Sequence, residues 1–288
     1  MKTLTLIALA ACLLVLTSLN GVAAVECDRA CLLSLATRYI DSLVAHDPRT
    51  LPLSDRVRFT EDTVERKPGE GLWTSASKPG PYRLDVLDVV QGTAVVYTTL
   101  EERGVPVLHV ARLTVVDGQL TEIETMVVRS QADGGGIFDV APLRHASDMM
   151  LRVPDRAQIP SRAEAIRIAE HYPAGLRAGS FMSVNAPFAP GAYRLENGRL
   201  MAGPACTFAA GCGDIKAQKI RVYPATYRVI AFDDTLGIVV LRQNFGPRPF
   251  NNQLDLHTWH AFKIYGAQIH AVEAFQKVLP TGMKFGWD

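Results

Sequence analysis

The chain has 288 residues, 48% of them hydrophobic, with 30 Lys and Arg set against 29 Asp and Glu. That balance leaves no net field to draw in nucleic acid or an anionic membrane, which excludes both as general partners. The length suits two small domains or one large one.

Residues 1–24 read as a leader and not as part of the fold. Lys2 supplies the only charge, "LTLIALAACLLVLTSL" is an apolar run, and Val22-Ala23-Ala24 offers small residues for cleavage. The rival readings are a retained anchor and a lipid-modified Cys12, which would leave Leu13 to Leu16 on the mature chain. The expected location is secreted or periplasmic, with no membrane segment after leader removal. Four cysteines then remain, Cys27, Cys31, Cys206 and Cys212. An even number in an exported chain reads as two disulfides with three connectivities open. Proximity favours Cys206 with Cys212. A zinc site lacks the paired spacing it needs, and no metal is expected.

Cys31 to Ala45 carries apolar residues at Leu32, Leu33, Leu35, Ala36, Ile40, Leu43 and Val44, a helical stripe. His46-Asp47-Pro48 ends it. Val57 to Thr60 is a short strand, and "ERKPGEGLW" a turn. Strands follow at Tyr82–Val90, Ala94–Leu100 and Pro106–Val116, the last turning near Asp117-Gly118 into Leu120–Arg129. If the loop is three residues long, Arg112 faces Glu124 as a surface ion pair, and a two-residue loop breaks that pair.

Residues 131–160, with Gly134-Gly135-Gly136, form a linker between a first unit at 25–130 and a second at 161–288. Ser161 and Glu164 make a capping box for a helix from Arg162. That helix either stops before Pro173 or continues, kinked, to about Arg177. Strands are expected at Gly191–Leu195, Ile220–Ala231, Gly237–Asn244, Leu254–Ile264 and Gln268–Lys277. The Cys206–Cys212 loop takes the place of the Gly71-Leu72-Trp73 turn.

The second half thus restates the first. "RYIDSLVAHD" and "RFTED" return as "HYPAGLRAGS" and "RLENG", and "HVARLTVVDG" (His109 to Gly118) returns as the run from His257 to Gly266. A tyrosine, Tyr39 or Tyr172, sits at the same place in each helix. A histidine, His109 or His257, opens each closing hairpin with the same spacing to a glycine. Glu61 and Glu196 lie in the polar strand after each helix and are the carboxylates best placed for general base work. His257, His260 and His270 cluster, but strand parity separates the first two. The chain has no nucleophile elbow, phosphate-binding loop, dinucleotide fingerprint or zincin motif.

The arrangement resembles the SnoaL-like branch of the nuclear transport factor 2-like superfamily, whose best-understood enzyme type is ketosteroid isomerase. The resemblance rests on Tyr39-Ile-Asp-Ser-Leu43-Val-Ala-His-Asp47, echoed by Tyr172 to Ser180 with Ser for Asp. It also rests on a penultimate strand in which His109 stands three before Arg112, and His257 three before His260, where the family has an acid before an arginine. It implies an α+β fold of two tandem cone-shaped units, each a curved antiparallel sheet wrapped by helices, packed face to face as an intrachain pseudo-dimer; homo-oligomerisation stays open. It further implies cofactor-free proton transfer, isomerase or lyase in type, on a small organic or sugar-derived molecule. Glu61 takes the proton, and Tyr39 and His109 stabilise the oxyanion. The first unit is the expected seat, with Trp73 closing over it and Tyr172, Glu196 and His257 as further binding residues. The alternatives are a non-catalytic ligand- or partner-binding module and a hydrolase with the same acid–base set.

Overall fold

The computed structural model describes residues 27–222, 225–246 and 253–287; the leader reading at 1–24 lies outside them. The first unit runs α1 (Arg29–Val44), β1 (Leu53–Glu61), β2 (Val64–Arg66), β3 (Ala76–Asp88), β4 (Thr93–Glu102), β5 (Val105–Val116) and β6 (Gln119–Val128). After a connection carrying the single turn α2 (Asp148–Leu151), the second unit repeats the series. It comprises α3 (Arg162–Ala178), β7 (Phe188–Glu196), β8 (Arg199–Ala202), β9 (Ala225–Asp233), β10 (Ile238–Phe245), β11 (Leu254–Tyr265) and β12 (Gln268–Pro280). The described residues form two six-stranded sheets, β2-β1-β6-β5-β4-β3 and β8-β7-β12-β11-β10-β9, which are one topology used twice.

The fold is α+β, and the sheets are mixed where antiparallel ones were expected. β1 runs parallel to β6, and β7 parallel to β12. The four-strand meander ends on a strand running the same way as the one that follows the helix, so the two meet in parallel. Each sheet carries one long helix rather than a wrapping of several.

Asp28 caps α1 by accepting from the Cys31 amide, and the Cys27–Cys31 disulfide spans that cap. Cys27 lies outside the helix, so the helical geometry that would strain a four-residue bridge is absent. A second disulfide joins Cys206 and Cys212. Ser161 caps α3, which continues through Pro173 to Ala178 and ends on left-handed Gly179.

The closing hairpin of the first unit turns on two residues, Asp117 (φ 50°) and Gly118 (φ 75°). The Arg112–Glu124 pairing survives because the register shifts between Thr114 and Val115, leaving Thr121 as an extra residue on β6. β11 and β12 turn on Gly266 and Ala267 and repeat the shift at the same place, so Gly266 matches Asp117 and not Gly118. The repeat is therefore displaced by one residue from its sequence-level alignment: Thr258, not His257, falls on His109. His257 points to the opposite face.

Each sheet packs its helix on one face and the other sheet on the second. Leu32, Leu35, Ala36, Tyr39 and Leu43 of α1 pack on Val96, Ala111, Leu113 and Ile123. Ile168, Tyr172 and Leu176 of α3 pack on Val239, Phe262 and Val272. Between the sheets, Tyr82, Val95, Val110 and Met126 meet Ala231, Val240, Trp259 and Phe275, joined by Leu143, Ala146 and Met150 of the connection. The segment read as a linker is thus part of the core. Lys263, fully buried, donates to the carbonyls of Met150, Arg152 and Leu236 and pins it there.

Two crossed straps tie the units. Arg29, the first residue of α1, donates to Asp233 at the end of β9 (2.8 Å), and Asp233 also accepts from the Leu87 amide of β3 (3.0 Å). Reciprocally, Arg162, the first residue of α3, pairs with Asp88 at the end of β3, and Asp88 accepts from the Phe232 amide of β9 (2.8 Å). Both carboxylates are at most 1% exposed. Removing either one strands backbone amides that have no water to turn to. Asp233→Ala and Asp88→Ala should each lower unfolding free energy by about 3 kcal/mol or more in guanidinium titrations. Lys78→Ala, in an exposed pair with Glu101, should change it by less than about 1 kcal/mol.

Candidate functional site

The two units use their helix–sheet interiors differently. In the first, Tyr39 and His109 meet with Oη 3.2 Å from Nε2 and rings near parallel. Both are 1% exposed. Burial pushes His109 down to about 3, with Arg129 pulling the same way, and pushes Tyr39 well above its ordinary value. Trp73 packs edge-on against Tyr39 and Phe59 with centroids 5.4 and 5.1 Å away, and its Nε1 donates to Ser42 Oγ. Its backbone carbonyl is bound by His46 Nδ1. The tryptophan expected to close over a pocket fills the interior instead.

Glu61 is close enough to raise the Tyr39 pKa, but its Oε2 is bound to the Leu72 amide at 2.7 Å. Burial raises the Glu61 pKa while the Leu72 amide opposes it. The turn that does this needs Gly71, where φ is +63° and a Cβ would come within 2.5 Å of the carboxylate. Tyr39, Glu61, Trp73 and His109 thus share one packed neighbourhood. Asp47 does not join them: it caps the turn at Pro48–Thr50 and pairs with exposed Arg49.

In the second unit the same interior holds a cavity of about 230 Å³. Its walls include Leu176, Met201, Val222, Phe245 and Leu256, and its polar groups are Tyr172, Arg194, Glu196, Thr258, His260 and Gln276. Tyr39 and Tyr172 occupy the same position in α1 and α3. Glu61 pairs with Thr125 of β6 as Glu196 pairs with Ala274 of β12, and the two glutamates are equivalent. Two residues earlier the units part. Phe59, packed on Trp73, stands where Arg194 stands in the second unit.

Arg194 is 4% exposed, with Nε 3.1 Å from Glu196 Oε1 and Nη1 3.4 Å from Tyr172 Oη. Burial opposes its charge, but Tyr172 and Glu196 hold its pKa above the ordinary arginine value. Burial lifts Tyr172 to about 12, with Arg194 opposing. The His260 ring lies 5.1 Å from Tyr172, and its Nδ1 contacts Thr258 Oγ1 (2.8 Å) and Gln243 Nε2 (2.9 Å). Burial and Arg194 push His260 down to about 3, so it works as a neutral ring. With the Gln243 amide oriented as it is, Nδ1 accepts and the ring proton sits on Nε2.

His257 is absent from this cavity. It faces the other sheet, its Nδ1 3.2 Å from Arg242 Nη2, and burial pushes it to about 3. His270 is the extra residue at the β12 bulge and stacks on Tyr265. No group of three metal-ligating side chains occurs among the described residues, and no helix there is long and apolar enough to cross a membrane. Sequence reasoning missed Arg194 and Gln276. Arg194 sits two residues before Glu196 on the same strand face, a spacing that could have found it.

Two expectations follow. His109, His257 and His260 have folded pKa values near 3 against about 6.5 unfolded, so the native state binds fewer protons between those values. Stability is then complete above about pH 6.5 and falls as pH drops toward 3. The Tm between pH 7 and 4 should fall along this slope, and His257→Gln should make it shallower; an unchanged slope contradicts the assignment. Trp73→Ala should cost about 3–5 kcal/mol, and indole should recover part of that loss by refilling the space beside Tyr39.

Residues 158–276 match the family model for a domain of unknown function, DUF8021. The match spans every cavity-lining residue except Ile137. No curated protein matches the chain.

Proposed function

We propose that the second unit is a small-molecule site doing cofactor-independent proton transfer, as an isomerase or lyase, in an exported protein of SnoaL-like, cone-shaped architecture. The observation that carries this reading is the convergence of Tyr172, Arg194, Glu196 and His260 on one apolar cavity. Glu196 is the only carboxylate among its described lining residues and takes the proton. The Tyr172 hydroxyl and the Arg194 guanidinium donate to the developing oxyanion. The neutral His260 ring supplies a flat wall and an Nε2–H.

The cavity sets limits on the ligand. Arg194 and Glu196 offset each other, so the site carries no net charge to attract an ion. At about 230 Å³ it lies below the range of drug-sized sites. A neutral molecule of one or two rings bearing a carbonyl fits these limits. The two disulfides suit an oxidising compartment, which supports export.

A second reading, a binding module without turnover, is favoured by one contact: Glu196 is already tied to Arg194. Incubating small cyclic ketones and enones with the protein in deuterated buffer separates the two by NMR. Proton transfer gives deuterium at the carbon beside the carbonyl. Glu196→Gln should slow that exchange by roughly 10²-fold or more, and Tyr172→Phe should slow it while leaving binding largely intact. His109→Ala and Glu61→Gln should leave it close to wild type. Saturable binding without exchange in the wild type selects the binding module; a larger loss from His109→Ala than from Glu196→Gln returns the chemistry to the first unit.

A further inference from the structure

The layer between the sheets contains a charged cluster that the proposed chemistry does not use. Arg228, Arg242 and Trp259 lie side by side across β9, β10 and β11. Opposite them, Arg112 and Glu124 are paired across β5 and β6. Glu124 is 2% exposed and takes all three guanidinium groups: Arg112 Nε at 3.1 Å, Arg228 Nη2 at 2.7 Å and Arg242 Nε at 3.7 Å. The pair expected at the surface is therefore the centre of a buried interface. Glu122, partly exposed, neutralises one more charge through Arg112 Nη1 at 2.6 Å. Asp62 also lies within the field of Arg242, but it is paired with Lys277 at 2.8 Å. Among the described residues, three cations share two carboxylates, and one positive charge is left over.

The hydrogen-bond inventory shows the same surplus. Arg112 Nη2 and Arg228 Nε are buried and make no hydrogen bond among the described residues. Trp259 Nε1 and Tyr97 Oη, on the same inter-sheet faces, make none either. A buried donor without a partner costs about 1–3 kcal/mol, and a cluster of them in a native fold points to a water or ion that completes it. Water satisfies donors but leaves the surplus charge. An anion does both.

The equivalent position in the second unit shows that the fold does not require this arrangement. Glu273 occupies the place in β12 that Glu124 occupies in β6. It is satisfied by the hydroxyls of Tyr82 (3.0 Å), Ser147 (2.7 Å) and Tyr193 (2.6 Å), with no arginine. The cluster also has a roof. The Trp287 ring lies 4.3 and 4.6 Å from the Arg58 and Arg112 guanidinium carbons, and the Phe285 ring 5.3 Å from those of Arg228 and Arg242. Trp287 Nε1 donates to Thr60, and the Gly286 carbonyl accepts from Arg58. Gly286, at φ +81°, lets this segment approach, because a Cβ there would meet the Thr63 carbonyl at 2.9 Å.

We infer that the cluster of Arg112, Arg228 and Arg242, under the Phe285–Trp287 segment, binds a small oxyanion of the carboxylate, sulfate or phosphate class. Planar guanidinium groups match such oxygens geometrically and hold them by charge-assisted hydrogen bonds. The site is separate from the Arg194 cavity, which lies on the other face of the second sheet.

The test is thermal unfolding of the mature chain at constant ionic strength, replacing sodium chloride stepwise with sodium phosphate, sodium sulfate or sodium acetate. At least one oxyanion should raise the Tm saturably, by about 2–6 °C. Which one acts separates an inorganic ion from the carboxylate of an organic ligand. Sulfate and phosphate also stabilise proteins by exclusion from their surfaces; that increment does not saturate and persists in any variant. Arg228→Gln, at the accessible rim, should abolish the saturable part, and Arg112→Lys should weaken it at least fivefold in half-saturating concentration. Should Arg228→Gln fail to fold, Arg112→Lys decides alone. Equal Tm in all four salts, or a saturable rise that the variants leave intact, overturns the proposal.

Discussion

A mixed sheet with a helix on one face still has an apolar second face, and everything else in this molecule follows from how that face is covered. Each sheet covers the other. Tyr82, Val95, Val110 and Met126 on one side and Ala231, Val240, Trp259 and Phe275 on the other bury what would otherwise be two large exposed patches. Without its partner, each unit would leave the apolar second face of its sheet uncovered. The crossed Arg29–Asp233 and Arg162–Asp88 straps fix the relative orientation by polar groups that reach from each helix start to the far unit's strand end. Apolar packing alone would leave that orientation loosely specified.

Covering the inner faces in this way frees the outer interiors to diverge. The first unit fills its helix–sheet space with Phe59 and Trp73, and Tyr39 and His109 become core residues that satisfy each other. The second replaces the phenylalanine with Arg194 and bounds the corresponding loop with Cys206 and Cys212. A buried arginine cannot be packed like a phenylalanine. It demands an anion and hydrogen bonds, and Glu196 and Tyr172 supply them at the margin of a cavity. The change from Phe59 to Arg194, together with the loop that replaces Trp73, thus separates a packed interior from one that holds a cavity.

Much of this was legible in the sequence, and the misses share one cause. Periodicity placed both long helices, the hairpins and the doubled plan, because those signals are local. The Arg112–Glu124 partnership that a three-residue loop implies is present although the loop has two residues: the shorter turn alone would break the pairing, and the bulge at Thr121 restores it. The repeat slipped by one residue because Gly118 and Gly266 look equivalent, whereas both residues of each turn are left-handed and Gly266 matches Asp117. In a strand, one residue exchanges the faces. That slip placed His257 beside Tyr172, when the ring that packs there is His260.

The location of charge was the least legible feature, because burial in a two-sheet layer is set by long-range packing and not by neighbours along the chain. Glu124 and Glu273 sit at equivalent points, and nothing near either one announces that the first will meet three arginines and the second three hydroxyls. The difference comes from β9 and β10, more than a hundred residues from Glu124, and from Tyr82, nearly two hundred from Glu273. The pseudo-two-fold relation supplies a control within one chain. A hydroxyl-satisfied carboxylate is sufficient at the equivalent position of the second unit, so the doubled plan does not by itself call for three arginines at its twin. Buried cations that a fold does not need are costly to keep, and their persistence at one half of a duplicated interface is the physical reason to assign them a ligand.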